Sequence, residues 1–176
     1  MDLESRVKAA IRDIPDFPKP GILFKDITPV LSDASLCRDV TEGFINQFGS
    51  MKIDGIVGIE SRGFLFGMLL SQKLKVPFLP VRKKGKLPFK TYSYEYHLEY
   101  GSAVVEMHTD SISPGSAILI HDDLLATGGT AAAAAELVKM QGGYVAAFSF
   151  LINLTFLNGQ EKLTGHSGNI FSIVNY

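Results

Sequence analysis

One run of residues constrains this chain more than any other. It reads Ile118-Leu119-Ile120-His121-Asp122-Asp123-Leu124-Leu125-Ala126-Thr127-Gly128-Gly129-Thr130, and an alanine-rich helical pattern follows over residues 130–140. An apolar strand that meets two acids, a small-residue turn and then a helix belongs to α/β architecture. In an open α/β sheet, ligands bind beyond the carboxyl ends of the strands, so a site is expected at this junction. Gly128 and Gly129 let the backbone approach an anion closely. The amides of Ala126, Thr127, Gly128, Gly129 and Thr130, with the two threonine hydroxyls, can enclose a phosphate at the positive end of the helix dipole. Asp122 and Asp123 would repel a bare phosphate there; they suit the hydroxyls, or a magnesium-bound part, of the same ligand. A ribose 5-phosphate meets both demands. No lysine follows the glycines and Gly-x-Gly-x-x-Gly is absent, which excludes a Walker loop and a dinucleotide fingerprint.

The rest of the chain keeps the same rhythm. Strands are expected over residues 53–59, 76–81, 103–107, 116–121, 144–151 and 170–174, with helical patterns over 63–74 and 130–140. Leu36, Val40, Phe44 and Phe48 repeat every four residues as the apolar face of a further helix, capped by Ser32 or Asp33 and stopped at Gly49. Leu3, Val7, Ala10, Ile11 and Ile14 predict an earlier helix that Pro15 ends, before the irregular Phe17-Pro18-Lys19-Pro20-Gly21. The expected fold is α/β, a mostly parallel twisted sheet flanked by helices, with a small N-terminal hood over about residues 1–31. Residues 82–101 are basic at one end, rich in tyrosine and without a sustained period. They read as a long flexible lid loop or an irregular hairpin, since a loop of that length inside a compact domain is usually functional.

A length of 176 residues and 46 % hydrophobic content suit one domain spanning 1–176. Seventeen Lys and Arg against eighteen Asp and Glu leave a net charge of -1, so nothing points to nucleic acid or a membrane surface. Cys37, the one cysteine, cannot form an internal disulfide. Met1-Asp2-Leu3-Glu4-Ser5-Arg6 lacks the basic start and apolar core of a signal peptide, and no apolar run approaches the roughly 20 residues of a membrane span. The expected compartment is the cytoplasm. Without a second cysteine or a histidine cluster, Cys37 and His121 read as structural residues rather than zinc ligands.

Ile118 to Thr130 closely resembles the phosphoribosyl-diphosphate signature of type I phosphoribosyltransferases, and its Asp-Asp-Leu-Leu-Ala-Thr-Gly-Gly-Thr form looks like the adenine-specific branch. Three more segments are similar to that branch and stand in the same order. They are Phe17-Pro18-Lys19-Pro20-Gly21-Ile22-Leu23-Phe24-Lys25-Asp26-Ile27-Thr28-Pro29, Glu60-Ser61-Arg62-Gly63-Phe64 and Leu98-Glu99-Tyr100-Gly101. The resemblance spans nearly the whole chain; His121 departs from the aliphatic residue usual before the acids.

The resemblance implies transfer of a 5-phosphoribosyl group from 5-phosphoribosyl 1-diphosphate to adenine, giving AMP and diphosphate. Magnesium would be held mainly by the diphosphate and water, with no dedicated protein metal site, and the working unit would be a homodimer. The 5-phosphate would sit at Ala126, Thr127, Gly128, Gly129 and Thr130, and the ribose hydroxyls at Asp122 and Asp123. The diphosphate would meet Ser61, Arg62, Arg82, Lys83 and Lys86, some of them from the neighbouring subunit. Arginine suits this role through its planar fork. Lys84 and Lys90 read as solvated charges. Phe24 and Leu124 would sandwich the base, while backbone groups near Leu23 and Lys25 meet its exocyclic amine and ring nitrogen. Glu99 would handle the proton. In the family the peptide bond before the serine or arginine of the Glu60-Ser61-Arg62 loop is often cis. The competing readings are a transferase for hypoxanthine, guanine or xanthine and a non-catalytic nucleotide sensor; Glu99 and an intact lid argue against the sensor.

Overall fold

The computed structural model describes residues 1–97 and 101–176. In chain order its elements are helix α1 (Leu3–Ala10), strands β1 (Arg12–Pro15) and β2 (Leu23–Asp26), helices α2 (Thr28–Leu31) and α3 (Ala34–Phe48), strand β3 (Gly55–Ile59), helix α4 (Gly63–Leu74), and strands β4 (Phe78–Lys83), β5 (Thr91–His97), β6 (Ser102–His108) and β7 (Ala117–Leu125). Then come helix α5 (Gly129–Met140), strand β8 (Tyr144–Asn153), a 3-10 turn (Thr155–Leu157), helix α6 (Gly159–Leu163) and strand β9 (Ile170–Asn175).

The main sheet has seven strands in the order β5-β6-β4-β3-β7-β8-β9. From β4 to β9 neighbouring strands pair parallel, and β6 and β5 add an antiparallel edge. This is the expected α/β class. Alternation along β7 sends Ile118 and Ile120 into the core under α5, and Leu119 into the core shared with α1, α3 and α4. The connection from β3 through α4 runs to β4 on one side, whereas that from β7 through α5 runs to β8 on the other. The carboxyl ends of β3 and β7 therefore flank a topological switch point, where a crevice opens.

Local signals set several boundaries. Asp33 caps α3 by accepting from the amides of Ser35 and Leu36 at 2.9 Å each, and Gly49 ends the helix at φ 57°. Elsewhere pairing overrides them. The helix expected to run to Ile14 stops at Ala10, because residues 12–15 pair with β2 in the register Arg12↔Asp26 to Pro15↔Leu23. Of the stretch expected as a long loop or an irregular hairpin over residues 82–101, residues 82–83 and 91–97 are strand and 84–90 are not. Arg82 and Lys83 belong to β4, opposite Glu106 and Val105, and residues 91–97 pair regularly with β6. Tyr92, Tyr94 and Tyr96 carry the two-residue alternation of a strand, but most of β5 is exposed, so its pattern lacks an apolar face. Strand β7 outlasts its apolar run because β8 continues to pair it through Asp122↔Phe150 and Leu125↔Asn153.

Candidate active site

Beyond β7 the chain turns through Ala126, Thr127 and Gly128 into α5. Gly128 has φ 78°, and a Cβ there would lie 2.4 Å from the Gly159 carbonyl oxygen, so the turn requires glycine. No side chain caps the first amides of α5. The positive end of the helix thus opens into a cup of about 80 Å³ lined by Ala126, Thr127, Gly128, Gly129 and Thr130.

The cup adjoins a cleft of about 330 Å³ that brings together Ser61, Arg62, Arg82, Lys83, Asp122, Asp123, Leu124 and Thr130. Asp123 is buried and its amide donates to Asp122 Oδ1 at 2.8 Å. Burial raises the pKa of both carboxyls; the charge of Asp123 raises Asp122 further, while Arg62 pulls Asp123 back. Arg62 Nε lies 2.9 Å from Asp123 Oδ2, and the contact is ionic, since this oxygen accepts no aligned hydrogen bond. Arg62 Nη1 donates to the Lys25 carbonyl at 3.4 Å, and its guanidinium carbon lies 4.8 Å from the Phe24 ring centroid. One side chain therefore ties β2 to the acid pair.

The peptide bond between Glu60 and Ser61 is cis. Glu60 accepts from Arg82 Nη2 at 2.9 Å and from the Lys83 amide at 3.0 Å, and the Arg82 bond holds its carboxyl below the usual range against burial. Arg82 Nη1 reaches the Lys86 carbonyl at 3.1 Å. Buried Glu106 accepts from the Lys86 and Leu87 amides at 3.1 and 3.0 Å. Burial opposes its ionisation, but the backbone amides of Leu87, Gly85 and Lys86 outweigh that and hold it below the usual range.

The remaining expected residues stand apart from this cleft or at its edge. Lys83 and Lys86 are exposed. Lys25 is buried, its Nζ 2.7 Å from Asp13 Oδ1 and 3.8 Å from the Tyr176 ring centroid, so only its backbone is available to a ligand. Leu23 is exposed, and Phe24 is half-buried against the edge of Phe17. Leu124 is half-buried and joins both the cleft and the cup. Glu99 lies outside the described residues. Cys37 sits on α3 with its thiol facing the Val30 carbonyl, and burial pushes its pKa up. His121 is fully buried beneath the acids, with Nδ1 2.9 Å from Ser149 Oγ and Phe44 edge-on at 5.3 Å; burial pushes it down to about 3. Sequence reasoning missed Glu60, which anchors Arg82, and Tyr96, whose hydroxyl reaches Thr130. The alternation of Tyr92, Tyr94 and Tyr96 was the available signal for Tyr96. Among the described residues no group of three or more His, Cys, Asp or Glu side chains converges as a metal cage would, and no helix is long and apolar enough to cross a membrane.

A crevice at the switch point, with an acid pair beside a cup of free helix amides, defines an α/β protein whose candidate ligand site lies at the carboxyl ends of its strands. Residues 31–154 match the model of the phosphoribosyl transferase domain. The chain is 49 % identical over 174 residues to the adenine phosphoribosyltransferase of Cytophaga hutchinsonii, covering 99 % of this chain and 96 % of that one. It is 50 % identical to the crystal structure of adenine phosphoribosyltransferase from Thermoanaerobacter pseudethanolicus, with a TM-score of 0.95 over 99 % of this chain and 100 % of that one. The Saccharomyces cerevisiae adenine phosphoribosyltransferase, solved with D-2,5-dideoxy-2,5-imino-altritol 1,6-bisphosphate and adenine, is 40 % identical with a TM-score of 0.91, covering 97 % of this chain and 98 % of that one. The chain belongs to the phosphoribosyltransferase family, in its adenine phosphoribosyltransferase branch.

Proposed function

We propose that the protein transfers the 5-phosphoribosyl group of 5-phosphoribosyl 1-diphosphate to adenine, releasing diphosphate and forming AMP. One observation carries the reading: β7 delivers both the acid pair and the amide cup to the switch point, so one strand end can hold the sugar and its phosphate together. The 5-phosphate takes the amides of Ala126 to Thr130, and the ribose hydroxyls donate to Asp122 and Asp123. Adenine lies between Phe24 and Leu124, with backbone groups of Leu23 and Lys25 reading its amine and ring nitrogen; a wrong base would leave those groups unpaired.

Adenine N9 attacks the anomeric carbon from the face opposite the diphosphate, and the bond to diphosphate breaks as positive charge builds on the sugar. The acids, where ionised, stabilise that charge. Ser61, Arg62, Arg82, Lys83 and Lys86, some from a neighbouring subunit, hold the leaving diphosphate, and Glu99 takes the purine's proton. Asp122 and Asp123 offer the hard oxygen donors magnesium prefers. Most of the ion's ligands would come from the diphosphate and water. When bound, magnesium neutralises charge on the leaving group.

In this reading residues 1–176 act as one domain in the cytoplasm, with about residues 1–31 as the hood and about residues 82–101 as the lid. It works as a homodimer, and the outer face of α4, where Leu65, Met68 and Leu69 are more than 40 % exposed, offers an apolar surface for the second copy. Incubation with magnesium and phosphoribosyl diphosphate, offering adenine, hypoxanthine, guanine and xanthine separately, tests the proposal. Conversion of adenine is expected. Preference for a 6-oxopurine would overturn the specificity, and conversion of no base would favour a sensor.

A further inference from the structure

We propose that Tyr96 is a positioning residue that ties the β5–β6 hairpin to the phosphate cup. The proposal rests on reading the cup as the 5-phosphate site. Residues 92–95 of β5 are exposed, whereas Tyr96 turns inward, half-buried, and packs on the core beneath α5. Its hydroxyl stands 3.0 Å from Thr130 Oγ1. Its ring lies 3.4 Å from where a Cβ on Gly129 would stand, so the ring packs in ordinary contact range of the turn that forms the cup.

The chemistry of the two hydroxyls makes this contact responsive to a ligand. Each has one proton to donate and can also accept. With the cup empty, either oxygen can be the donor. A phosphate that accepts from Thr130 takes that residue's only proton, which leaves Tyr96 to donate to Thr130. The chain then runs from the Tyr96 O–H to the Thr130 O–H to phosphate, and each bond polarises the next. Phosphate binding thereby strengthens the hold on Tyr96, and by thermodynamic reciprocity a seated Tyr96 strengthens phosphate binding. Tyr96 pairs with Ala103 on β6, which pairs in turn with β4 beside Arg82 and Lys83. Occupancy of the cup is thus felt along the wall of the cleft that Tyr96 also lines.

The test uses ribose 5-phosphate, which can fill the cup without reacting. Its dissociation constant is measured by calorimetry for the parent, Tyr96→Phe, Thr130→Val and the double variant, with Tyr94→Phe as the surface control. Hydrogen exchange of residues 91–97 and 102–108 is followed with and without the ligand. In the parent, ribose 5-phosphate should slow exchange in the hairpin. Tyr96→Phe keeps the ring but should bind about tenfold more weakly, the scale of one hydroxyl hydrogen bond, and lose the added protection. Thr130→Val should then cost less in the Tyr96→Phe background than alone, and Tyr94→Phe should match the parent. Parent-like affinity and protection in Tyr96→Phe, or strictly additive losses, would overturn the tie and leave the phosphate site standing. A parent protein that fails to bind ribose 5-phosphate would overturn both.

Discussion

Arg62→Ala isolates the charge that holds the acid pair in place. Asp123 has a side chain only 7 % exposed, and Arg62 Nε stands 2.9 Å from it. At an effective dielectric of 20 the gross attraction at that distance is about 6 kcal/mol, and breaking a fully buried pair by removing one partner costs about 3–5 kcal/mol. Two features reduce this. The Arg62 side chain is 34 % exposed, so water already screens it, and an abandoned Asp123 can bind a proton instead of staying charged. The expected loss of folding stability is therefore about 2 kcal/mol near neutral pH.

The sign of the pH dependence follows from the direction of the shifts. Both carboxyls have folded pKa values above their ordinary ones. Their contribution to stability is thus full below the unfolded carboxylate range, near 4, and is lost as pH rises through the folded values. Arg62 is the group that pulls Asp123 down, so without it the loss extends to higher pH. Urea unfolding followed by circular dichroism at about pH 5 and pH 8 should show a parent-minus-variant gap that is small at the lower pH and opens toward the higher. Arg62→Lys should recover part of the gap, since it keeps the charge but not the fork. A gap that is absent at pH 8, or the same at both pH values, would refute the ionic account.

Three further outcomes are expected. Gly128→Ala strains a residue at φ 78° and drives its Cβ toward the Gly159 carbonyl; about 1–3 kcal/mol should be lost in denaturation, with ribose 5-phosphate binding weakened more than about tenfold in calorimetry, and a variant equal to the parent in both would remove the requirement for glycine. Glu99→Gln should lower turnover by on the order of 10²-fold while directly measured substrate affinity changes little; turnover within about threefold of the parent would end its proposed role in proton transfer. His121, held down at about 3 by burial, stays neutral while the unfolded chain takes up a proton. Parent stability relative to His121→Leu should therefore fall by about 1.4 kcal/mol per pH unit between about pH 6 and pH 4, and a constant difference in urea titrations would contradict this.

What the sequence determines by itself lies in contiguous residues. The apolar run of β7, its acid pair and its glycine turn specify strand, cup and helix start because each depends on local period, backbone freedom and the exposed amides of a helix end. The cap of α3 at Asp33 is legible for the same reason. Tertiary structure decides which side chain meets which. Sequence reasoning assigned Arg62 to a diphosphate, and only the fold shows that its Nε meets Asp123 and its guanidinium carbon lies over Phe24. Lys25 stands in a ligand-binding stretch, yet its ammonium is held between Asp13 and Tyr176. Residues 12–15 carry a helical period, yet β2 takes them as a strand. Tyr96 belongs to a segment with no apolar period, and only packing against α5 makes it different from Tyr92 and Tyr94. A side chain's chemistry fixes the kinds of partner it can accept. Which partner it finds depends on where distant strand ends and helix termini meet, and here the switch point between β3 and β7 makes that choice.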